Sequence, residues 1–188
     1  MPMTTDEYNN YQRNIFYGPS WLTRDIAIDQ FEHSGYTLGE KINAMERVLH
    51  VDCDNNPFYG MISNLTGIDP YNPLADHAMT VEQFAYSYKA DKFNVAFCLG
   101  ALNFGSQAEI QAKLATIIST LRKRDGRIYF RFYTNPPSDS PGNFFVWTYD
   151  LVQYFAELFN FEIMAMAPDA DNTIYAEWWS NNRSLSMT

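Results

Sequence analysis

The chain has 188 residues, enough for one hydrophobic core of ordinary size and too few for two. Hydrophobic residues make up 46% and charged residues 19%, a globular balance; 22 acidic side chains against 13 basic ones give a net charge of −9, which repels phosphate backbones and disfavours nucleic acid as a partner. No apolar run reaches the ~18–20 residues a helix needs to cross a bilayer, and Met1 to Asn14 lacks the apolar segment of a secretory signal, so a soluble, cytoplasmic, single-domain protein with no membrane partner is expected.

Residues 1–40 read as a polar, aromatic arm followed by an amphipathic helix. Tyr8, Tyr11, Phe16 and Tyr17 belong to the arm, and Ser20 caps a helix carrying Trp21, Leu22, Ile26, Ile28 and Phe31 until Gly35 and Gly39 break it. Arg47 to Cys53 is a short β-branched run that ends in the polar turn Asp54-Asn55-Asn56-Pro57, as a buried strand delivering a loop would. A second strand covers Leu65 to Asp69 and stops at Pro70, after which a short strand near His77 to Met79 and a helical turn at Glu82 to Tyr86 are expected.

Phe93 to Leu99 is an uninterrupted apolar strand ending at Gly100. Ser106 caps a helix from Gln107 to Lys123 with Ile110, Leu114, Ile117, Ile118 and Leu121 on one face, and Arg122, Lys123 and Arg124 form its solvated end. A fourth strand, Arg127 to Tyr133, precedes a loop from Asn135 to Asn143. The last third reads as a helix from about Tyr149 to Phe159 and two runs, Phe161 to Met166 and Asn172 to Trp179. The turn-forming segment between those runs predicts an antiparallel pair.

Alternating strands and helices predict an α/β fold in three layers: a doubly wound, mostly parallel sheet with a C-terminal antiparallel pair. Ligands of such sheets bind beyond the carboxyl ends of the strands, at the point where strand order reverses. The loops Asp52 to Phe58, Asp69 to Asn72 and Leu99 to Gly105 are therefore the candidate site.

The succession Val48-Leu49-His50-Val51-Asp52-Cys53-Asp54-Asn55-Asn56-Pro57, Thr66-Gly67-Ile68-Asp69-Pro70, Phe93 to Gly105 and Gly126-Arg127-Ile128-Tyr129 resembles the class I S-adenosylmethionine-dependent methyltransferases over roughly residues 40 to 180. It is most similar to members whose first strand ends in a Gly-Cys-Gly-Asn-Asn-Pro-like loop and runs almost directly into the second. The resemblance implies a seven-stranded sheet and S-adenosylmethionine as cofactor. It places Asp52, Cys53, Asp54 and Asn55 at the methionyl portion of that cofactor. Asp69, flanked by Ile68 and Pro70, would accept hydrogen bonds from both ribose hydroxyls. Glu82 or Gln83 would meet the adenine, Leu99 and Gly100 the base and the transferred methyl, and Tyr17 would close over the site as part of the arm. Where the family has glycines the first loop has Asp52, Asp54 and Asn56; two carboxylates there repel the cofactor's carboxylate and attract its sulfonium and ammonium groups.

The implied activity is methyl transfer to a small molecule or a protein side chain, by in-line displacement that needs no protein nucleophile, so no catalytic residue is named. A binding module that keeps the fold without turnover, or another reaction on the same cofactor, are the alternatives. Asn135-Pro136-Pro137-Ser138 follows the wrong strand for the motif of amino-methylating DNA enzymes and reads as a Pro-fixed loop. His33, His50 and His77 lack the partner spacing of a triad; Cys53 and Cys98 read as packed thiols, and no metal is expected.

Overall fold

In a computed structural model of the chain, which describes residues 28–89, 91–136 and 142–181, the alternation of apolar runs becomes a six-stranded sheet. Its strands are β1 (Val48–Val51), β2 (Leu65–Ile68), β3 (Val95–Leu99), β4 (Arg127–Tyr133), β5 (Phe161–Asp169) and β6 (Thr173–Ser180), in the order β2-β1-β3-β4-β6-β5. The first four run parallel, and β6 lies antiparallel to both β4 and β5. The chain leaves β1 toward one edge to make β2 and then returns to make β3 on the other side, so strand order reverses between β1 and β3. In sheets of this kind the carboxyl ends of two such strands flank the ligand crevice.

The expected seventh strand is reduced to a single parallel bridge between Ile68 and His77. The reason lies in who satisfies Gly67: its N–H donates to the Asp76 carboxylate at 2.7 Å, a side chain taking the place of a strand carbonyl. Three residues beyond His77, Thr80 already caps a helix.

The helices among the described residues are α1 (Thr37–Glu40), α2 (Val81–Ser87), α3 (Gln107–Thr120) and α4 (Tyr149–Leu158), with a 3-10 turn at Ile28–Gln30. Capping boxes start α2 and α3: Thr80 and Ser106 accept from the third backbone N–H, while Gln83 and Glu109 reach back. The α3 helix stops three residues before the expected Lys123, because Leu121 turns to extended backbone and bridges Phe93. Gly39, expected to break a helix, lies inside α1; a Cβ there would sit 2.0 Å from Met61 Sδ, so the glycine admits Met61 against the turn. Residues 1–27, with the arm, Tyr17 and most of the first expected helix, lie outside the described residues.

The pleat sends Leu49, Ala96, Cys98, Ile128, Phe130 and Trp178 to one face, where α2, α3 and α4 cover them. Val48, Val95, Phe97, Tyr129 and Tyr175 point the other way, and among the described residues short segments carrying Ile28, Leu38, Phe58 and Ile62 cover them. This thin layer follows from the connection between β1 and β2, which contains no helix. It is held to the sheet by buried Arg131, which donates to the Ser34 hydroxyl at 2.8 Å and carbonyl at 2.6 Å and stacks over Phe31 at 3.5 Å.

Gly67 is where the two sequence halves of the crevice press together. A Cβ on this residue would lie 2.7 Å from both Asn56 Nδ2 and Cys53 Sγ. Gly67→Ala is expected to destabilise the fold by about 1–3 kcal/mol in urea melts, because the first loop must move to accommodate one methyl group.

Candidate functional site

The first loop leaves β1 in an unusual backbone path: Asp52, Asp54 and Asn56 have φ of 50°, 51° and 49°. Three alternating left-handed residues are costly for most side chains, and Asp and Asn are the non-glycine residues that adopt the conformation most readily. The chain therefore keeps the path that glycines would permit, and gains two carboxylates by doing so.

Asp69 organises this path. Its Oδ2 accepts from Asp54 N at 2.9 Å, and its Oδ1 accepts from Tyr71 N at 2.8 Å and Asn72 N at 3.1 Å. Asn72 adds a second tie, its side-chain amide donating to the Asp54 carbonyl while its Oδ1 accepts from Leu74 N. Burial, followed by the field of Asp52, pushes the Asp69 carboxyl up, and the three backbone amides pull it back without cancelling the rise. Asp69 is the residue expected to accept both ribose hydroxyls. Three of the roughly four lone-pair sites of the carboxylate are taken, and the residue is 1% exposed.

Asp52 is neutralised in place. Lys113, on the second turn of α3, donates to its Oδ2 at 2.7 Å and to the Ala101 carbonyl at 2.8 Å, clamping the loop after β1 to the loop after β3. Burial works against the Lys113 charge, but Asp52, with Glu82 at the start of α2, outweighs it and holds the ammonium above its ordinary pKa. Lys113 is a site residue the sequence reading missed. Its signal was present: the helix's one cation falls between Ile110 and Leu114, on the buried face, where an unpaired charge is not tolerated.

Asp54 is not neutralised. It is 8% exposed, the Asn55 backbone bonds its carboxylate, and Oδ2 has no hydrogen-bond partner among the described residues. Burial first, then the neighbouring Asp69, raise its carboxyl to about 7. A second orphan lies across the crevice in the loop after β3. Asn103 donates through Nδ2 to the Gly100 carbonyl, which fixes the orientation of the amide and leaves Oδ1 buried without a donor among the described residues. Gly100 itself has φ of 102°, donates to Arg131 O from β4, and would place a Cβ 3.4 Å from Tyr133 Cε2. Trp147 closes this side, with its backbone N–H on the Tyr133 carbonyl and Nε1 on the Leu102 carbonyl.

The remaining expected residues divide. Cys53 packs its side chain inward toward Gly67, and burial pushes its thiol well above the ordinary range. Ile68 is a core residue on the helix side. Asn55 is exposed on the loop, and Pro70 and Leu99 are half-buried at the ends of β2 and β3. Gln83 uses its carbonyl oxygen to accept from Thr80 N at 3.0 Å as the helix cap. Exposed Glu82 reaches the site through its field on Lys113. His50 stands edge-on to Phe58 and Phe97, bonds Asn56 Oδ1 at 3.2 Å, and is held by burial at a pKa of about 4, an interior neutral histidine. Among the described residues no cluster of His, Cys, Asp and Glu suits a metal ion, and no helix is long and apolar enough to cross a membrane.

The sequence matches no protein-family model and no curated protein. Solved structures resemble the chain closely in fold. A Burkholderia thailandensis 1,6-didemethyltoxoflavin-N1-methyltransferase, crystallised with its acceptor and S-adenosylhomocysteine, has a TM-score of 0.68 at 16% identity over 96% of this chain and 92% of that one. The magnesium protoporphyrin IX methyltransferase of Synechocystis with bound S-adenosylmethionine gives 0.63 at 12% identity, over 92% and 95%. The N-methyltransferase NodS of Bradyrhizobium japonicum with S-adenosylhomocysteine gives 0.61 at 12%, over 86% and 95%. The fold is thus that of the class I S-adenosylmethionine-dependent methyltransferases.

Asp54 supplies a pH signature. The folded chain keeps a proton on this carboxyl between about pH 4 and pH 7, where the unfolded chain has lost it, so its contribution to stability declines as pH rises through that window. Asp54→Asn is expected to remove that share of the slope and to be more stable than the parent at about pH 8, as read from urea melts across pH.

Proposed function

We propose that the chain binds S-adenosylmethionine across the carboxyl ends of β1 and β3 and transfers its methyl group to a small-molecule or protein acceptor. The observation that carries this reading is the pair of orphaned acceptors, Asp54 Oδ2 and Asn103 Oδ1, both buried and both in the loops that flank the strand-order reversal. Buried acceptors without donors are rare in folded proteins, and a ligand bearing cationic and hydroxyl groups is what such a pair accommodates. The left-handed path at residues 52, 54 and 56 supports the same reading, since it brings the loop backbone to the crevice as a glycine-rich loop would.

The bound cofactor would supply an electrophilic methyl on a sulfonium centre. The work left to the protein is to orient, desolvate and position. Lys113 and Asp52 lock the two loops, Asp69 and Asn72 hold the first loop's path, and the Asn103–Gly100 hydrogen bond shapes the loop after β3 that would face the transferred group. Asp69 keeps one lone pair for a single ribose hydroxyl. The two buried free thiols accord with a cytoplasmic setting.

One observation favours a second reading, a binding module without turnover: backbone amides already occupy three of the roughly four lone-pair sites of the Asp69 carboxylate. Calorimetry separates the two. S-adenosylmethionine should bind with an affinity on the order of micromolar, and Asn103→Ala should weaken it about five- to tenfold in protein that still folds, with stability lowered by about 1–3 kcal/mol through the lost bond to Gly100. Folded protein that takes up no cofactor would favour the module.

A further inference from the structure

Asp54 stands apart from the other two carboxylates of the crevice in the matter of charge. Asp52 is paired with Lys113 at 2.7 Å, and Asp69 is bound by three backbone N–H groups, one of them the Asp54 amide itself. No Lys or Arg among the described residues forms an ion pair with Asp54. The groups that face it are Asp69 at the end of β2, which repels it, and Tyr133 at the end of β4, which feels its field. The Tyr133 phenol is pushed up by burial and so stays neutral. Next to Asp54 on its own loop are Asp52, already neutralised, and the protonated Cys53.

Position matters as much as charge. Asp54 Oδ2 is buried without a hydrogen-bond partner among the described residues, on the loop that leaves β1 beside the strand reversal. Taking the proposed cofactor site as given, on which this step rests, we propose that Asp54 is a specificity-determining residue that recognises the sulfonium charge and distinguishes the methyl donor from its neutral thioether product. S-adenosylmethionine and S-adenosylhomocysteine share their ammonium, carboxylate, ribose and adenine, and differ by one methyl group and one positive charge at sulfur. When the methyl leaves, the C–S electron pair stays on sulfur and cancels that charge. The contact that held the donor then ceases to hold the product, and a buried carboxylate left without a counter-charge favours release. Because Asp54 takes up a proton in the empty crevice near neutrality, donor binding should expel it while product binding should not.

The test is calorimetric titration of the full chain with each compound at about pH 6 and about pH 8, in two buffers of different ionisation enthalpy so that released protons are counted. The expected result is a donor-over-product preference of about tenfold at the higher pH that narrows at the lower one, with proton release on donor binding alone. Asp54→Asn, and Asp54→Gly as a second variant that also accepts the left-handed backbone, should bring the two affinities together by weakening the donor. Equal affinities in the parent, an unchanged preference in both variants, or a matched loss for both compounds, which would place Asp54 at the shared ammonium, each overturns the inference and leaves the cofactor site standing. Uptake of neither compound by folded protein overturns the site and the inference together.

Discussion

Three backbone N–H groups converge on one buried carboxylate, Asp69, and the geometry of the whole crevice follows from that convergence. One of the three belongs to the loop after β1 and two to the loop after β2, so the carboxylate is a junction between chain segments that are fifteen residues apart or more. A carboxylate bonded in this way is short-ranged and directional, which leaves the first loop few paths. The path it takes is left-handed at every second residue, and it presses Cys53 and Asn56 so closely on β2 that the facing position has to be glycine.

Within this frame, aspartate and asparagine in the first loop serve two ends. Conformationally they stand in for glycine, at a cost that Asp and Asn bear more lightly than other residues. Electrostatically they turn a neutral cradle into an acidic one, and the protein answers only part of that charge, by bringing Lys113 from α3 onto Asp52. A partly buried ion pair of this kind contributes position more dependably than stability, and here it joins the loops that flank the strand reversal. The acidity that remains, on Asp54, is what a cationic ligand would meet.

Most of the sheet was legible in the sequence because its strands are uninterrupted apolar runs bounded by Gly, Pro and Asp, a pattern that depends on local chemistry. The strands at Val48, Leu65, Val95 and Arg127 and the reversed terminal pair fall where they were expected, and so does the near-direct passage from β1 to β2. The seventh strand was not legible, because whether His77 to Met79 pairs as a strand depends on Asp76 capturing the Gly67 amide, a contact between separate segments. The same holds for the site. Asp69 was named from its place after a strand, but sequence shows only that a carboxylate is present and cannot show that three backbone amides donate to it. Asn72 and Asn103 lay inside the loops that were named but carried no signal of their own, whereas Lys113 could have been found as a lone cation on an apolar helical face.

The account rests on the two orphaned acceptors being a ligand's binding points. A crystal structure of the complex with S-adenosylmethionine tests this directly. The account predicts ligand density across the carboxyl ends of β1 and β3, a donor nitrogen or oxygen within about 3.2 Å of Asn103 Oδ1, and the cationic centre beside Asp54. Density elsewhere on the chain, or a bound cofactor that leaves both acceptors without a partner, would contradict it.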